Sequence, residues 1–286
     1  MIKINIFLAI YTYYIDIDRY HLTDKIFKHY KNIQEKFKNF ALFTFTILGS
    51  ENTISQNLSL KYFKPEEYFE FDQSQESFEK DFYKMLGTKI NSGINKSLLN
   101  DPDILLWGGS NDYISFDFFE QIINYYKPDV PQIYGIDNYQ NGKNAVFFTH
   151  FCGDKCLDNH PSITDNPNLC YWWDGVSNYY NRKKFQYSGG ILGINKNCFN
   201  LYPDILSVWS FDEGAIEEFI LQKQNIDKFN SKNIFYMNIK SLSNNDITTY
   251  DTLKILNINN MLNFENFSYE FQKKFREEFN YFINSL

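Results

Sequence analysis

The first half of the chain alternates strand-length apolar segments with segments whose apolar residues recur at helical spacing. Lys3–Tyr11 is a continuous apolar run, typical of a strand buried on both faces, and Ala41–Leu48 and the short apolar segment Ile104–Trp107 are two further predicted strands. Between the first two runs, apolar residues from Ile26 to Phe40 recur at spacings of three and four. Strands and helices in alternation predict an α/β fold, with a mixed, mainly parallel sheet flanked by helices.

Polar residues and turns mark where these helices begin and end. Thr23 is placed to cap the first helix, and Ser115 to cap a later helix that ends at Tyr126. Two more helices are expected between the second and third strands, over Gln75–Leu86 and Thr88–Leu99.

The second half is less regular. Cys152–Trp173 is rich in Gly, Asp, Asn and Pro, which predicts a long loop, and a helix is expected to open near Phe211. Four segments have strand character: Gln132–Ile136, Ala145–His150, Tyr187–Asn195 and Ile234–Ile239.

The tail from Phe264 onward places several phenylalanines near one helical face, among them Phe271 and Phe275. We expect a C-terminal helix packed on the core, and the alternative is a contact with a partner or a membrane surface. No internal repeat or Pro/Gly/Ser linker interrupts the chain. We therefore expect one compact domain over residues 1–286, with functional halves at about 1–127 and 128–286.

The distribution of charged and apolar residues limits which classes of binding partner the protein can have. The net charge is -7 and the lysines are interleaved with acids, which argues against nucleic acid because a phosphate backbone requires a basic face. A small anionic ligand remains possible, since local groups can hold phosphate in an acidic protein. The N-terminal apolar run suits a strand better than a secretory signal, and no stretch is long enough to span a bilayer. We expect a cytoplasmic protein, with homo-oligomerisation possible.

Cysteine spacing leaves several possibilities open. Three of the four cysteines fall close to His150 and His160, but no Cys-x-x-Cys pair occurs. A zinc site, a local disulfide and ordinary reduced thiols all remain possible. The four residues are Cys152, Cys156, Cys170 and Cys198.

Ligands of open α/β sheets bind at the carboxyl ends of the strands, which directs attention to the loops that follow them. Ala9, Tyr11 and Thr12 lie at the end of the first strand. An aromatic ring there could stack on a base while Thr12 forms a hydrogen bond with it, and the alternative is a surface turn.

Two segments carry a family resemblance. They are Lys89-Ile90-Asn91-Ser92-Gly93-Ile94-Asn95-Lys96-Ser97-Leu98 and Ile104-Leu105-Leu106-Trp107-Gly108-Gly109-Ser110-Asn111-Asp112-Tyr113-Ile114-Ser115. A basic residue, an Asn and a Gly open a helix, and an apolar strand then leads to an acidic motif and a capped helix. This order resembles the donor half of the GT-A glycosyltransferases, especially family 2, over roughly residues 3–125.

The resemblance implies a nucleotide-sugar donor site. Lys89 and Asn91 would contact the nucleotide, Gly93 would let the backbone approach the ligand, and Ser110 and Asn111 would line the same site.

The resemblance also implies a divalent cation, Mn²⁺ or Mg²⁺, held by Asp112 and bridging the donor diphosphate. The family usually has Asp-x-Asp, whereas this chain has Gly109-Ser110-Asn111-Asp112, so only one carboxylate remains. Metal binding is then weaker, supplied elsewhere or absent. Asp112 could instead be a turn acid that caps the following helix.

The acceptor half has matching cues. Gly189-Gly190 resembles the glycine pair that precedes the catalytic acid in many GT-A enzymes, and Asp212-Glu213 follows. A carboxylate there would be the general base that takes the acceptor proton. Asp212 is our first choice and Glu213 our second, because Ser210 and Glu213 could form a capping box instead.

Trp172, Trp173 and Asp174 complete the acceptor candidates. Tryptophan faces stack on sugar rings and Asp174 could bind hydroxyls, and core packing is the alternative reading of the tryptophans.

The sequence thus predicts transfer of a sugar, from a donor such as a UDP-sugar, to a hydroxyl acceptor on a glycan, protein or lipid. Two alternatives remain. One is a nucleotide-sugar or glycan-binding protein without transfer activity. The other is a nucleotidyltransferase, although residues 9–20 lack the Gly-rich basic loop that such an enzyme usually carries.

Overall fold

A computed structural model of the chain describes most of the first half and parts of the second. The described residues are 1–10, 17–50, 53–71, 82–110, 112–137, 145–151, 171–173, 187–203, 225–229, 231–241 and 268–284.

Strands and helices alternate through the described ranges. The strands are β1 (Ile2–Ala9), β2 (Ala41–Ser50), β3 (Tyr68–Phe71), β4 (Ile104–Gly109), β5 (Asp112–Ile114), β6 (Gln132–Asp137), β7 (Ala145–Phe151), β8 (Tyr171–Trp173), β9 (Tyr187–Asn195), β10 (Asp227–Lys228) and β11 (Phe235–Ser241). The helices are α1 (Ile17–Phe37), α2 (Thr53–Leu60), α3 (Phe82–Leu98), α4 (Phe116–Tyr125), α5 (Lys196–Leu201) and α6 (Tyr269–Asn284), with a 3-10 turn at Pro65–Glu67.

A seven-stranded sheet forms the centre, in the order β10-β6-β9-β4-β1-β2-β3. Only β9 runs antiparallel to its neighbours, β4 and β6, and the other described strand pairs of this sheet are parallel. The predicted fold class, a mixed and mainly parallel sheet flanked by helices, is confirmed.

The two faces of this sheet bury separate cores, because side chains alternate along each strand. Ile4, Ile6 and Leu8 of β1 belong to the core that also receives α1, α4 and α6. Phe7 and Ala9 belong to the core beneath α3 and α5.

A second sheet of four strands has the order β5-β11-β7-β8. In it β5 pairs antiparallel with β11, and β11 pairs parallel with β7. Because β5 begins at Asp112, shortly after β4 ends at Gly109, the chain passes from one sheet to the other within a few residues.

Several boundaries differ from the prediction. Helix α1 begins at Ile17, so Thr23 lies inside the helix instead of capping it. The two helices expected over Gln75–Leu86 and Thr88–Leu99 are one helix, Phe82–Leu98, in the described range. Gly87 does not break it, because one glycine costs a helix only about 1 kcal/mol.

The expected packing of the C-terminal helix is confirmed for two of its phenylalanines. Phe271 and Phe275 are buried in the core that contains α1 and α4. None of the helices in the described part of the chain has both the length and the apolar composition needed to cross a bilayer.

Candidate functional site

The carboxyl ends of β1 and β4 meet at the point where the strand order reverses. From β1 the chain adds β2 and β3 on one side, and β4 then pairs on the other side of β1, with Ala9 opposite Gly109. Such a switch point opens a crevice beyond the strand ends, where α/β proteins bind ligands. The end of β1 is fixed in place, because the Ile10 amide donates to the Leu48 carbonyl at 2.9 Å.

The Lys89 side chain of α3 reaches the end of β1 at this crevice. The residue is 2% exposed, and its Nζ donates to the Ile10 carbonyl at 3.0 Å. The Nζ also lies 5.6 Å from the centroid of the Phe71 ring, at the end of β3. The ammonium group therefore holds the end of β1 and places a positive charge beneath the edge of the sheet.

Asn91 lies on the opposite side of α3 from the lysines. Lys89 contacts the Phe71 ring and Lys96 the Phe69 ring, which places their side of the helix against β3. Asn91 follows Lys89 by two residues, which is a rotation of about 200° around a helix. Asn91 therefore points away from β3, toward β4.

Two buried oxygens in this region have no hydrogen-bond partner among the described residues. They are Asn91 Oδ1 and Ser110 Oγ, and Ser110 is fully buried directly after β4. A buried polar atom without a partner costs about 1–3 kcal/mol, so such atoms call for an explanation. A ligand that supplies the missing hydrogen bonds is one.

Gly93 has a packing role in the structure. A Cβ atom at this position would lie 2.0 Å from the ring of Phe7, which is itself 1% exposed. Helix α3 thus contacts β1 so closely that only glycine fits. The expected approach of the Gly93 backbone to a ligand stays a prediction, and the Phe7 contact accounts for the glycine without it.

Asp112 is buried, with a partner of its own. It is 5% exposed, and its Oδ1 accepts a hydrogen bond of 2.8 Å from the Tyr236 hydroxyl of β11. Burial and the nearby Asp112 carboxylate together raise the pKa of Tyr30. Asp112 therefore links β5 to β11 within the second sheet.

The described residues do not fit the cation site that the family resemblance implies at Asp112. One oxygen of this carboxylate is already engaged by Tyr236. Within the described ranges, no three His, Cys, Asp or Glu residues gather in a metal-binding group. Dependence on Mn²⁺ or Mg²⁺ stays a prediction, and no step below is derived through a metal.

Helix α4 is capped differently from the prediction. Ser115 occupies the N-cap position but makes no side-chain cap hydrogen bond. The Phe116 amide donates instead to Glu278 Oε2 of α6 at 3.3 Å. Sequence reasoning missed Glu278 and Tyr236, because each lies more than 120 residues from its partner and no local motif links them.

Strand β9 brings the glycine pair to the same edge as Ser110. Because β9 is antiparallel to β4, its first residues lie at the carboxyl end of β4, where Ile191 pairs with Gly108. Gly189 and Gly190 therefore lie just beyond this pair. Asp137, which sequence reasoning did not single out, ends β6 at this edge and pairs with Tyr187.

The tryptophans lie in the second sheet. Trp172 and Trp173 are in β8, paired with Phe147 and Val146 of β7. They fall inside the segment predicted as a loop, so its last residues form a strand. The structure describes their backbone pairing only.

The remaining candidates lie outside the described residues and stay predictions. They are Tyr11, Thr12, Asn111, Asp174, Asp212 and Glu213, together with Cys152, Cys156 and Cys170. Cys198 is described as a buried free thiol whose pKa burial raises to about 12, so it is not a reactive thiolate.

No known protein family and no curated protein sequence matches the chain. Among the solved structures to which the chain is similar are three at 9–10% identity. The inositol-1-phosphate CTP transferase from T. maritima gives a TM-score of 0.45 over 90% of this chain and 97% of its own. A glycosyltransferase involved in glycosylation of the major capsid of PBCV-1 gives 0.37, over 79% and 81%.

The third is mannose-1-phosphate geranyltransferase from Thermus thermophilus, with a TM-score of 0.33 over 84% of this chain and 75% of its own. With TM-scores below 0.5, none of the three identifies the reaction of this chain.

Proposed function

We propose that the chain is a nucleotide-sugar-dependent transferase, specifically a glycosyltransferase that moves a sugar from a nucleotide-diphosphate donor to a hydroxyl acceptor. The observation that carries the proposal is the pair of buried oxygens, Asn91 Oδ1 and Ser110 Oγ, beside the β1/β4 switch point.

The chemistry of these groups suits a nucleoside. Asn91 Oδ1 accepts a hydrogen bond from an N–H or a hydroxyl, and the Ser110 hydroxyl can donate or accept. Bases and riboses present both kinds of partner. The Lys89 ammonium adds a positive charge beneath the same edge, which favours an anionic group such as a diphosphate.

For the transfer step, we propose that a carboxylate from the second half takes the proton of the acceptor hydroxyl. Asp212 is the first candidate and Glu213 the second. The Gly189-Gly190 pair would let the acceptor lie against the backbone at the edge that β9 shares with β4.

A specific observation favours a second candidate, a nucleotide-sugar-binding protein without transfer activity. The one carboxylate of the acidic motif, Asp112, is buried and bound to Tyr236. It is thus poorly placed to stabilise a leaving diphosphate.

Ligand binding tests the donor site directly. UDP and a panel of UDP-, GDP- and CDP-sugars would be titrated by calorimetry and thermal shift, with and without Mn²⁺. Each of Asn91→Ala and Ser110→Ala removes one hydrogen bond of about 1–2 kcal/mol, so we expect each to weaken binding about 5–30-fold. Asn95→Ala, on the exposed side of the same helix, is the matched control and should bind like wild type.

Stability without ligand separates a binding role from a structural one. Ser110 Oγ has no partner among the described residues, so Ser110→Ala should leave the free energy of unfolding unchanged or raise it by up to about 1 kcal/mol. Loss of stability without loss of affinity would contradict the proposal, as would wild-type protein that binds no nucleotide of the panel.

The products distinguish the reactions. Release of a nucleoside diphosphate supports glycosyl transfer. Release of pyrophosphate from a nucleoside triphosphate and a sugar phosphate indicates nucleotidyl transfer. Binding without turnover across donors and acceptors supports the second candidate.

A further inference from the structure

The N-terminus of α4 lacks a cap from its own sequence. Ser115 stands at the N-cap position, but its side chain makes no cap hydrogen bond, and its Oγ has no partner among the described residues. The first amides of a helix have no partner within the helix, so another group must satisfy them.

Glu278 of α6 supplies that group. Its Oε2 accepts from the Phe116 amide and from the Tyr113 hydroxyl, each at 3.3 Å. One carboxylate oxygen therefore joins α6 to both β5 and α4. A negative charge at a helix N-terminus also interacts favourably with the helix dipole.

Neighbouring contacts fix Glu278 in this position. Phe271 and Phe275 anchor α6 in the core, and Lys274, one turn before Glu278, forms an ion pair with Asp117 in the first turn of α4. The contact between α6 and the start of α4 thus combines apolar burial, an ion pair and the Glu278 cap.

Strand β5, whose Tyr113 hydroxyl donates to Glu278, follows the candidate site directly. Tyr113 is the second residue of β5, three positions after Ser110. From the other side, His29 of α1 stacks on the Tyr113 ring at 4.0 Å and hydrogen-bonds the Ile114 carbonyl at 2.7 Å. Contacts from both α6 and α1 thus hold the segment that follows Ser110.

We propose that Glu278 is a positioning residue of the nucleotide-sugar site, which holds the Asp112–Ser115 segment in place by capping α4 from the C-terminal helix. This inference rests on the proposed function for the identity of the ligand. The capping itself is independent of it.

Hydrogen exchange measures the capping without any ligand. In Glu278→Ala, the Phe116 amide loses its acceptor and α4 frays from its first residue, so we expect peptides covering residues 113–118 to exchange at least about 10-fold faster. Glu278→Gln keeps an acceptor oxygen and should exchange much more slowly than the alanine variant. Glu277→Ala, whose glutamate side chain is 67% exposed, is the matched control and should exchange like wild type.

Binding of UDP, or of the best UDP-sugar of the panel, measures the positioning. We expect Glu278→Ala to raise the Kd about 5–10-fold, Glu278→Gln to restore most of the affinity, and Glu277→Ala to change nothing. Phe275→Leu serves as a second control, because it weakens the packing of α6 without removing the cap.

The outcomes separate the two proposals. Unchanged exchange of residues 113–118 in Glu278→Ala overturns the cap. Faster exchange with an unchanged Kd overturns the positioning role, as does an equal loss of affinity in Phe275→Leu. A wild-type protein that binds no nucleotide contradicts the proposed function, and the exchange experiment then decides the cap alone.

Discussion

Gly93 of α3 packs directly against Phe7 of β1. The space that a side chain would fill is occupied by the Phe7 ring, 2.0 Å from the position of a Cβ atom. Close packing of α3 on β1 also fixes Lys89, one turn earlier, beneath the end of that strand.

This packing predicts that Gly93→Ala destabilises the protein. Alanine favours the helix by about 1 kcal/mol, but overpacking a buried ring costs about 1–3 kcal/mol, so the net loss should be up to about 2 kcal/mol. Urea unfolding of Gly93→Ala, Phe7→Leu and the double variant measures the coupling. The smaller Leu should make the double variant at least about 1 kcal/mol more stable than additivity gives. Strictly additive losses would show that the two residues do not clash.

Candidate residues could be predicted only where a motif lies within a short stretch of sequence. Lys89, Asn91 and Ser110 are predicted donor-site residues because their spacing and their position relative to an apolar strand are visible in the chain, and their contact with a donor stays a prediction. The partners that define their surroundings were not visible. Ile10 beside Lys89, like Tyr236 beside Asp112, is brought there by pairing and packing over long sequence separations.

At the scale of elements, the Asn195 side chain at the end of β9 connects β6, α5 and the turn that precedes β6. Its Oδ1 accepts from the Gln132 amide of β6 and from the Cys198 amide in the first turn of α5, both at 2.9 Å. Its Nδ2 donates to the Val130 carbonyl at 2.7 Å. One side chain thus caps α5, fixes the start of β6 and holds the turn before it, at the edge of the sheet opposite the candidate site.

We therefore expect Asn195→Ala to lower the free energy of unfolding by about 2–4 kcal/mol, because it removes a cap and leaves buried groups without partners. Asn195→Asp keeps the accepting oxygen but loses the donor, and should fall between wild type and alanine. Equilibrium unfolding in urea measures both. Nucleotide affinity should not change, and a loss of affinity comparable to that of Ser110→Ala would contradict this assignment.

The long apolar elements could be predicted from the sequence, whereas the short ones could not. The predicted bounds of β1, β2, β4 and β9 are close to the observed ones, because each of these strands contains enough apolar residues to be recognised. The three-residue strand β5 carries too little periodicity to be seen, and its pairing with β11 depends on residues more than 120 positions away. The second sheet was missed as a sheet for the same reason.

At the scale of the whole molecule, His29 connects α1 to β5 within the core. It lies on α1 and is 3% exposed, stacks on Tyr113, and bonds the Ile114 carbonyl. Burial, and secondarily the Lys36 ammonium, lower the pKa of His29 to about 4. Glu278 of α6 also contacts Tyr113, through its hydroxyl, and burial raises the pKa of the Glu278 carboxyl group.

The lowered pKa of His29 predicts a loss of stability in acid. Between pH 6.5 and about 4, the unfolded chain binds a proton that the folded protein excludes, so stability is present above pH 6.5 and lost as pH falls. The expected loss from pH 7.5 to 4.5 is about 2–3 kcal/mol. His29→Gln can still donate to Ile114 but does not titrate, so urea unfolding should show that its stability depends less on pH. Parallel curves for the two proteins would contradict this account.

The Glu278 carboxyl group changes the stability of the protein with pH in the opposite direction from His29. Because burial raises the pKa of Glu278, the folded protein binds more protons than the unfolded chain just above the ordinary glutamate pKa, and stability falls there as pH rises. The difference between wild type and each single variant is therefore the informative quantity, since it isolates one group from the other.

The cap that α6 places on α4 also has a consequence for synthesis. The Phe116 amide and the Glu278 carboxylate are 162 residues apart. At about 5–20 residues per second, a ribosome needs roughly 10–30 s to make the intervening chain. During that interval the nascent β1–β4 sheet can form, but the start of α4 has no cap. The proposed nucleotide site would then form last, and a chain released before residue 278 would carry most of the sheet without the Glu278 cap.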